Sequence, residues 1–112
     1  SGDFDMLGSP VESFFNSYKT DFGVFGVAGV DMDGVLLDFY DEEVQIRRVI
    51  LENCRKGLLV LDHEKFGRTA HVRGGQIQDV AKVFCDQLPP KEIYQLINDS
   101  ESELIICDEQ ES

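Results

Sequence analysis

"GLLVLDHEKFGR", Gly57 to Arg68, sets a short apolar run against a densely charged one. Gly57–Leu61 is branched and apolar and reads as a buried strand. Asp62, His63, Glu64 and Lys65 follow at once, then Phe66, Gly67 and Arg68. In an open parallel sheet, ligands bind beyond the carboxyl ends of the strands, and Asp62 and Lys65 stand at such an end. An acid suits hydroxyls and a lysine suits a phosphate, so the pair is fit to hold a phosphorylated polyol. The same residues also make an ordinary solvated turn. Residue chemistry by itself leaves both readings open.

Working outward, helices alternate with strands. "DEEVQIRRVILENCRK" (residues 41–56) predicts a helix. Asp41, Glu42 and Glu43 open it and Arg55 and Lys56 close it, as the helix dipole favours; Ile46, Val49, Ile50 and Asn53 form its inward stripe. Ahead of it, "VLLDF" (35–39) reads as a short strand and "DMDG" (31–34) as a turn. "DFGVFGVAGV" (21–30) reads as one buried strand whose glycines admit close packing. "SPVESFFNSYK" (9–19) predicts a helix with Ser9 as N-cap, Pro10 at the first position and Glu12 completing a capping box. Val11, Phe14, Phe15 and Tyr18 share one of its faces.

Downstream, "TAHVRGGQI" (69–77) reads as loop with a short extended piece, and "VAKVFCD" (80–86) as a strand centred on Val83, Phe84 and Cys85. "LPPKEIYQLINDS" (88–100) predicts a helix with Ile93, Leu96 and Ile97 inward, and "ELIIC" (103–107) a last strand. Strands alternating with helices predict an α/β fold, a mostly parallel sheet flanked by helices. No repeat and no interdomain linker interrupts the pattern, so 1–112 is read as a single domain.

Ten Lys+Arg face 22 Asp+Glu, a net charge of -12. Such a surface repels phosphate backbones, so these residues are not expected to touch DNA. The end, from Ser100, carries Glu101, Glu103, Asp108, Glu109 and Glu111 and no base, and its tip is expected to fray. Cys54, Cys85 and Cys107 lie far apart in apolar stretches and make no CxxC or Cys/His cluster. They predict a reducing, cytoplasmic setting. No apolar run has membrane-spanning length and no signal peptide is visible.

The remaining chemical motifs exclude more than they assign. "DMDG" lacks the further acids and terminal Glu of a calcium loop. His63 and His71 have no partners at ligand spacing, and no Ser/His/Asp pattern or phosphate-cradling glycine motif occurs. No metal, cofactor or catalytic residue is expected. Glu43 and Arg47 stand four apart, acid first, which favours a surface ion pair of about 0.3–0.5 kcal/mol; Arg47 also flanks the apolar stripe and can reach inward. Gly29 and Asp31 follow the first strand and Asp86 the third, so all three join Asp62 and Lys65 at strand ends.

The spaced segments "DFG" (21–23), "GVD" (29–31), "EVQIRR" (43–48) and "DHEKFGR" (62–68), in that order, resemble the sensor domain of DeoR-family bacterial transcriptional repressors. The likeness runs from about Leu7 to Cys107. It implies a fold similar to ribose-5-phosphate isomerases and CoA transferases. It also implies a phosphorylated sugar or polyol effector, glycerol 3-phosphate foremost, whose binding releases DNA from a winged helix ahead of this domain. That winged helix, and the first stretch of the sensor domain with its phosphate loop, are expected to lie outside these 112 residues. Asp62 and Lys65 match the family's acid and base, the implied effector contacts. Glu43 and Arg47 match a Glu and a Lys of its helix, and Gly26, Gly29 and Asp31 match its glycine turn. Glu64 replaces the usual Ser. Ala28 stands where many members, and the isomerases, carry an acid, which leaves the general acid/base position of isomerase chemistry empty.

Three functions are therefore weighed. The leading one is an effector-sensing and oligomerising module. An isomerase-like enzyme is second, testable by turnover of ribose 5-phosphate. A purely structural oligomerisation domain is third, and stabilisation by ligand separates it from the first.

Overall fold

The computed structural model describes residues 19–108, so the helix expected over 9–19 and the extreme C-terminus lie outside the described residues. Seven strands and two helices follow in the order β1 (Thr20–Phe25), β2 (Gly29–Val30), β3 (Val35–Asp38), α1 (Asp41–Glu52), β4 (Cys54–Leu61), β5 (Val72–Gln76), β6 (Lys82–Cys85), α2 (Lys91–Asn98) and β7 (Glu103–Ile106). Single 3-10 turns sit at His63–Lys65 and Ile77–Asp79. The expected α/β architecture is present. β1, β4, β6 and β7 form a wholly parallel sheet in that order, in keeping with the isomerase-like fold that the resemblance implies.

A second sheet, β2-β3-β5, is antiparallel. The single strand read over 21–30 is thus two. β1 ends at Phe25, the chain leaves the parallel sheet at Gly26–Val27, and the Ala28 amide donates to the Leu37 carbonyl at 3.0 Å. The extended piece foreseen in 69–77 is β5, whose partner is β3. In the turn between β2 and β3 the Gly34 amide closes on the Asp31 carbonyl at 2.8 Å. Gly34 has φ 88, and a Cβ there would meet Leu96 Cδ1 at 2.7 Å. The positive φ favours glycine here, and any Cβ would also have to displace the tip of Leu96.

α1 is shorter than its sequence suggests. It stops at Glu52, and Asn53 caps it, its side-chain amide donating to the Val49 carbonyl at 2.9 Å. Cys54–Lys56 join β4 and pair with Thr20–Phe22 of β1. Arg55 accordingly does not close a helix but reaches Asp21, 3.3 Å away. The inward stripe also differs: Ile46 is exposed, Arg47 is buried with Val49, and Ile50 is half-buried. α2 turns Ile93 and Ile97 fully inward, as expected.

The core lies between the two helices, the second sheet and one face of the parallel sheet. Phe25, Leu59, Leu61, Val83 and Cys85 line that face and meet Val30, Leu36, Ile77, Ile93 and Ile97. No helix among the described residues is long and apolar enough to cross a membrane.

Candidate functional site

β4 and β6 run side by side with Leu61 opposite Cys85, so the next residues, Asp62 and Asp86, emerge together beyond the sheet. There the chain after β4 stops being extended. Asp62 caps the turn His63–Lys65, its Oδ1 accepting from the Glu64 amide at 2.9 Å. The Lys65 ammonium curls back to Asp62 Oδ2 at 2.9 Å. The far end of the turn is tied down where the Gly67 amide donates to the Val30 carbonyl at 2.8 Å. Gly29 makes room for this loop: a Cβ there would stand 2.7 Å from the Arg68 carbonyl oxygen.

The strand ends border an open cavity of about 480 Å³. Its floor is apolar, with Val27, Val60, Leu61 and Phe84; its rim carries Gly26, Asp62, Lys65, Asp86, Cys85 and Cys107. The Lys65 hydrogen bond, joined by the Glu64 amide, holds the Asp62 carboxyl below its ordinary value of 3.8. Asp86 takes the other side. Its Oδ1 accepts from the His63 amide at 2.7 Å and its Oδ2 lies 2.8 Å from His63 Nδ1. That bond lowers the Asp86 pKa and raises that of His63 above 6.5. An apolar floor with a few convergent charged groups suits a small polar ligand. A larger cavity of about 740 Å³ opens at the opposite end of the sheet, near Lys56, Lys82, Ser102 and Glu103. Lys82 is 3.6 Å from Glu103 there, and the carboxyl ends of parallel strands are where such sheets hold ligands, so the smaller cavity is the candidate site.

The residues singled out from sequence divide into two groups. Asp62, Lys65 and Gly26 line the cavity. Gly29, Asp31, Glu43 and Arg47 do not. Asp31 is 3.2 Å from Arg73, which also reaches Asp33 at 2.9 Å. Glu43 accepts from the Phe39 and Tyr40 amides, both at 3.2 Å, at the start of α1. Its expected surface pair with Arg47 is absent, because Arg47 turns inward to Asp38. Arg47 Nη2 donates to the Gly74 carbonyl at 2.7 Å, and its guanidinium lies 5.7 Å from the centre of the Phe25 ring. These four residues build the second sheet and its junction with α1.

In the sequence Asp86 stands at a strand end with no role of its own and His63 has no partner at ligand spacing; the fold pairs the two. Their partnership spans 23 positions and depends on β4 and β6 being neighbours. A strand followed at once by Asp in both segments is the signal that points to it.

A family model described as the DeoR C terminal sensor domain matches residues 2–87. The glycerol-3-phosphate regulon repressor of Escherichia coli (strain K12) is 40% identical over 107 residues, 96% of this chain and 42% of that protein. The repressor of the same name from Haemophilus influenzae is 37% identical over 105 residues, 94% of this chain and 41% of its own length. The HTH-type transcriptional repressor CsqR of Escherichia coli is 31% identical over 104 residues, 93% of this chain and 40% of its own. The chain thus spans about two-fifths of the length of these relatives.

Proposed function

Because this chain belongs to the DeoR C-terminal sensor domain family, we propose that it senses a phosphorylated sugar or polyol, glycerol 3-phosphate foremost, and acts by binding rather than by catalysis. The observation that carries this reading is the convergence of Asp62 and Lys65 on one cavity at the carboxyl ends of the parallel strands. Lys65 meets the phosphate, Asp62 accepts from a ligand hydroxyl, and Gly26 lets the ligand approach the backbone. Gly29, Asp31, Glu43 and Arg47 support the loops around that cavity. Ala28 supplies no acid for isomerase chemistry.

In the whole protein, DNA is bound by a winged helix ahead of this domain, and effector binding here releases it. The domain works in the cytoplasm as a homo-oligomer. Support for self-association comes from the parallel sheet, whose edge strands β1 and β7 each have one open side among the described residues, and open edges invite pairing.

Thermal unfolding with added glycerol 3-phosphate tests the reading. A ligand at about 100 times its dissociation constant adds about 2.7 kcal/mol. The whole protein is expected to gain stability with concentration and its Lys65→Ala variant to gain little, while these 112 residues alone bind only weakly. In the DNA-binding protein, Lys65→Ala should leave operator binding intact and abolish release. Equal stabilisation of parent and variant would remove Lys65 from the site.

A further inference from the structure

We propose that Asp86 is the positioning residue of this cavity, clamping the His63–Lys65 turn so that Asp62 and Lys65 face the ligand, and that its pairing with His63 sets how well the cavity accepts an anion. The inference rests on the cavity being the effector site. One Asp86 oxygen takes the His63 amide at 2.7 Å and the other meets the His63 ring at 2.8 Å. Main chain and side chain of one residue are thereby held by one carboxylate from the neighbouring strand. The turn has its other anchor at Gly67. Without the Asp86 clamp the His63 end of the turn is held only through Asp62, and the approach of Lys65 to the cavity loosens.

Charge gives the pair its second effect. The cavity has two carboxylates, Asp62 and Asp86, and one ammonium, Lys65, on its rim. Lys65 offsets Asp62. A dianionic phosphate would then face Asp86, and like charges at close range repel. A protonated His63 removes that repulsion by neutralising Asp86. The groups that bear on His63 are Asp86 from the end of β6, and Glu64 and Asp62 from its own loop; all three favour the imidazolium. When His63 loses its proton, the Asp86 charge stands uncompensated beside the ligand. Anion affinity is therefore full below the His63 pKa and falls as pH rises through it. The second pKa of a phosphate monoester is near 6, and that ionisation is common to parent and variant, so a fall in affinity seen in the parent and missing from His63→Gln belongs to His63.

The experiment is calorimetric titration of the whole DNA-binding protein with glycerol 3-phosphate at pH values on both sides of the His63 midpoint, which NMR of the His63 ring locates, for the parent, Asp86→Asn, Asp86→Ala, His63→Gln and Lys65→Ala. Asp86→Asn still accepts from the His63 amide but carries no charge, so it is expected to bind with little dependence on pH and to return the His63 midpoint toward 6.5. Asp86→Ala removes the clamp, and below the His63 midpoint, where the parent's Asp86 is neutralised, it is expected to bind on the order of tenfold more weakly. His63→Gln is expected to bind with little dependence on pH over the same range. If Lys65→Ala loses binding while Asp86→Ala matches the parent below the His63 midpoint, the site stands and the role of Asp86 is overturned. If the parent fails to bind, or Lys65→Ala binds as the parent does, the site assignment falls and the proposal with it.

Discussion

At the scale of single residues, Arg47 shows how burial changes the meaning of a charge. Arg47 and Asp38 are 4% and 3% exposed, and each is the other's ionic partner. Arg47→Met would leave the Asp38 carboxylate buried and unpaired, at a cost of about 3–5 kcal/mol. Urea unfolding is expected to show a lowered midpoint with an unchanged slope. Replacing Asp38 with Leu as well should recover part of the loss, since the stranded charge is then gone. Asp33 offers a milder test. The Val35 amide and then Arg73 hold its pKa below 3.8. A depressed carboxyl stabilises the fold above its unfolded value, and that contribution disappears as pH falls through the folded value. Between about pH 5 and pH 2, Asp33→Asn should therefore lose thermal stability less steeply than the parent.

Turns and pairings decide the behaviour of the elements. The turn between β2 and β3 relies on Gly34, whose φ of 88 strains any residue with a side chain and where a Cβ would push on Leu96. Gly34→Ala is expected to cost about 1–3 kcal/mol, readable as a fall in thermal midpoint with far-UV circular dichroism retained. The end of α1 is set from outside the helix. The Thr20 amide donates to the Asn53 carbonyl at 3.0 Å, and the next residues pair with β1. Helix propensity differs among ordinary residues by tenths of a kcal/mol, so a strand ladder readily wins over it.

The whole molecule inherits one property from its winding. β1, β4, β6 and β7 lie in sequence order, so each crossover steps the same way across the sheet. Right-handed crossovers that step the same way fall on the same face. α1, α2 and the second sheet therefore crowd one side, and the other side carries Phe22, Val24 and Val60 at 57%, 60% and 50% exposure. A parallel sheet is normally covered on both faces, and an apolar patch of this kind drives association. We expect the chain to sediment as a dimer or larger. The double variant Phe22→Lys, Val24→Lys should move it toward the monomer, and sedimentation that is the same for parent and variant would exclude this face as the contact.

Part of all this was open to a reader of the sequence. The α/β order, the stripe of α2 and the Asp62–Lys65 pair follow from residue type and spacing over a few positions, because local propensity and periodicity act over that range. The division of residues 21–30 between two sheets, the early stop of α1 and the inward turn of Arg47 did not follow. Each depends on a partner in another element: Leu37 for residues 21–30, β1 for the end of α1, and Asp38 and Gly74 for Arg47. The site divides in the same way. Asp62 and Lys65 are three residues apart and make their own contact. His63 and Asp86 are brought together only by the register of β4 against β6, since hydrogen bonding between strands acts across space and leaves no period in the sequence.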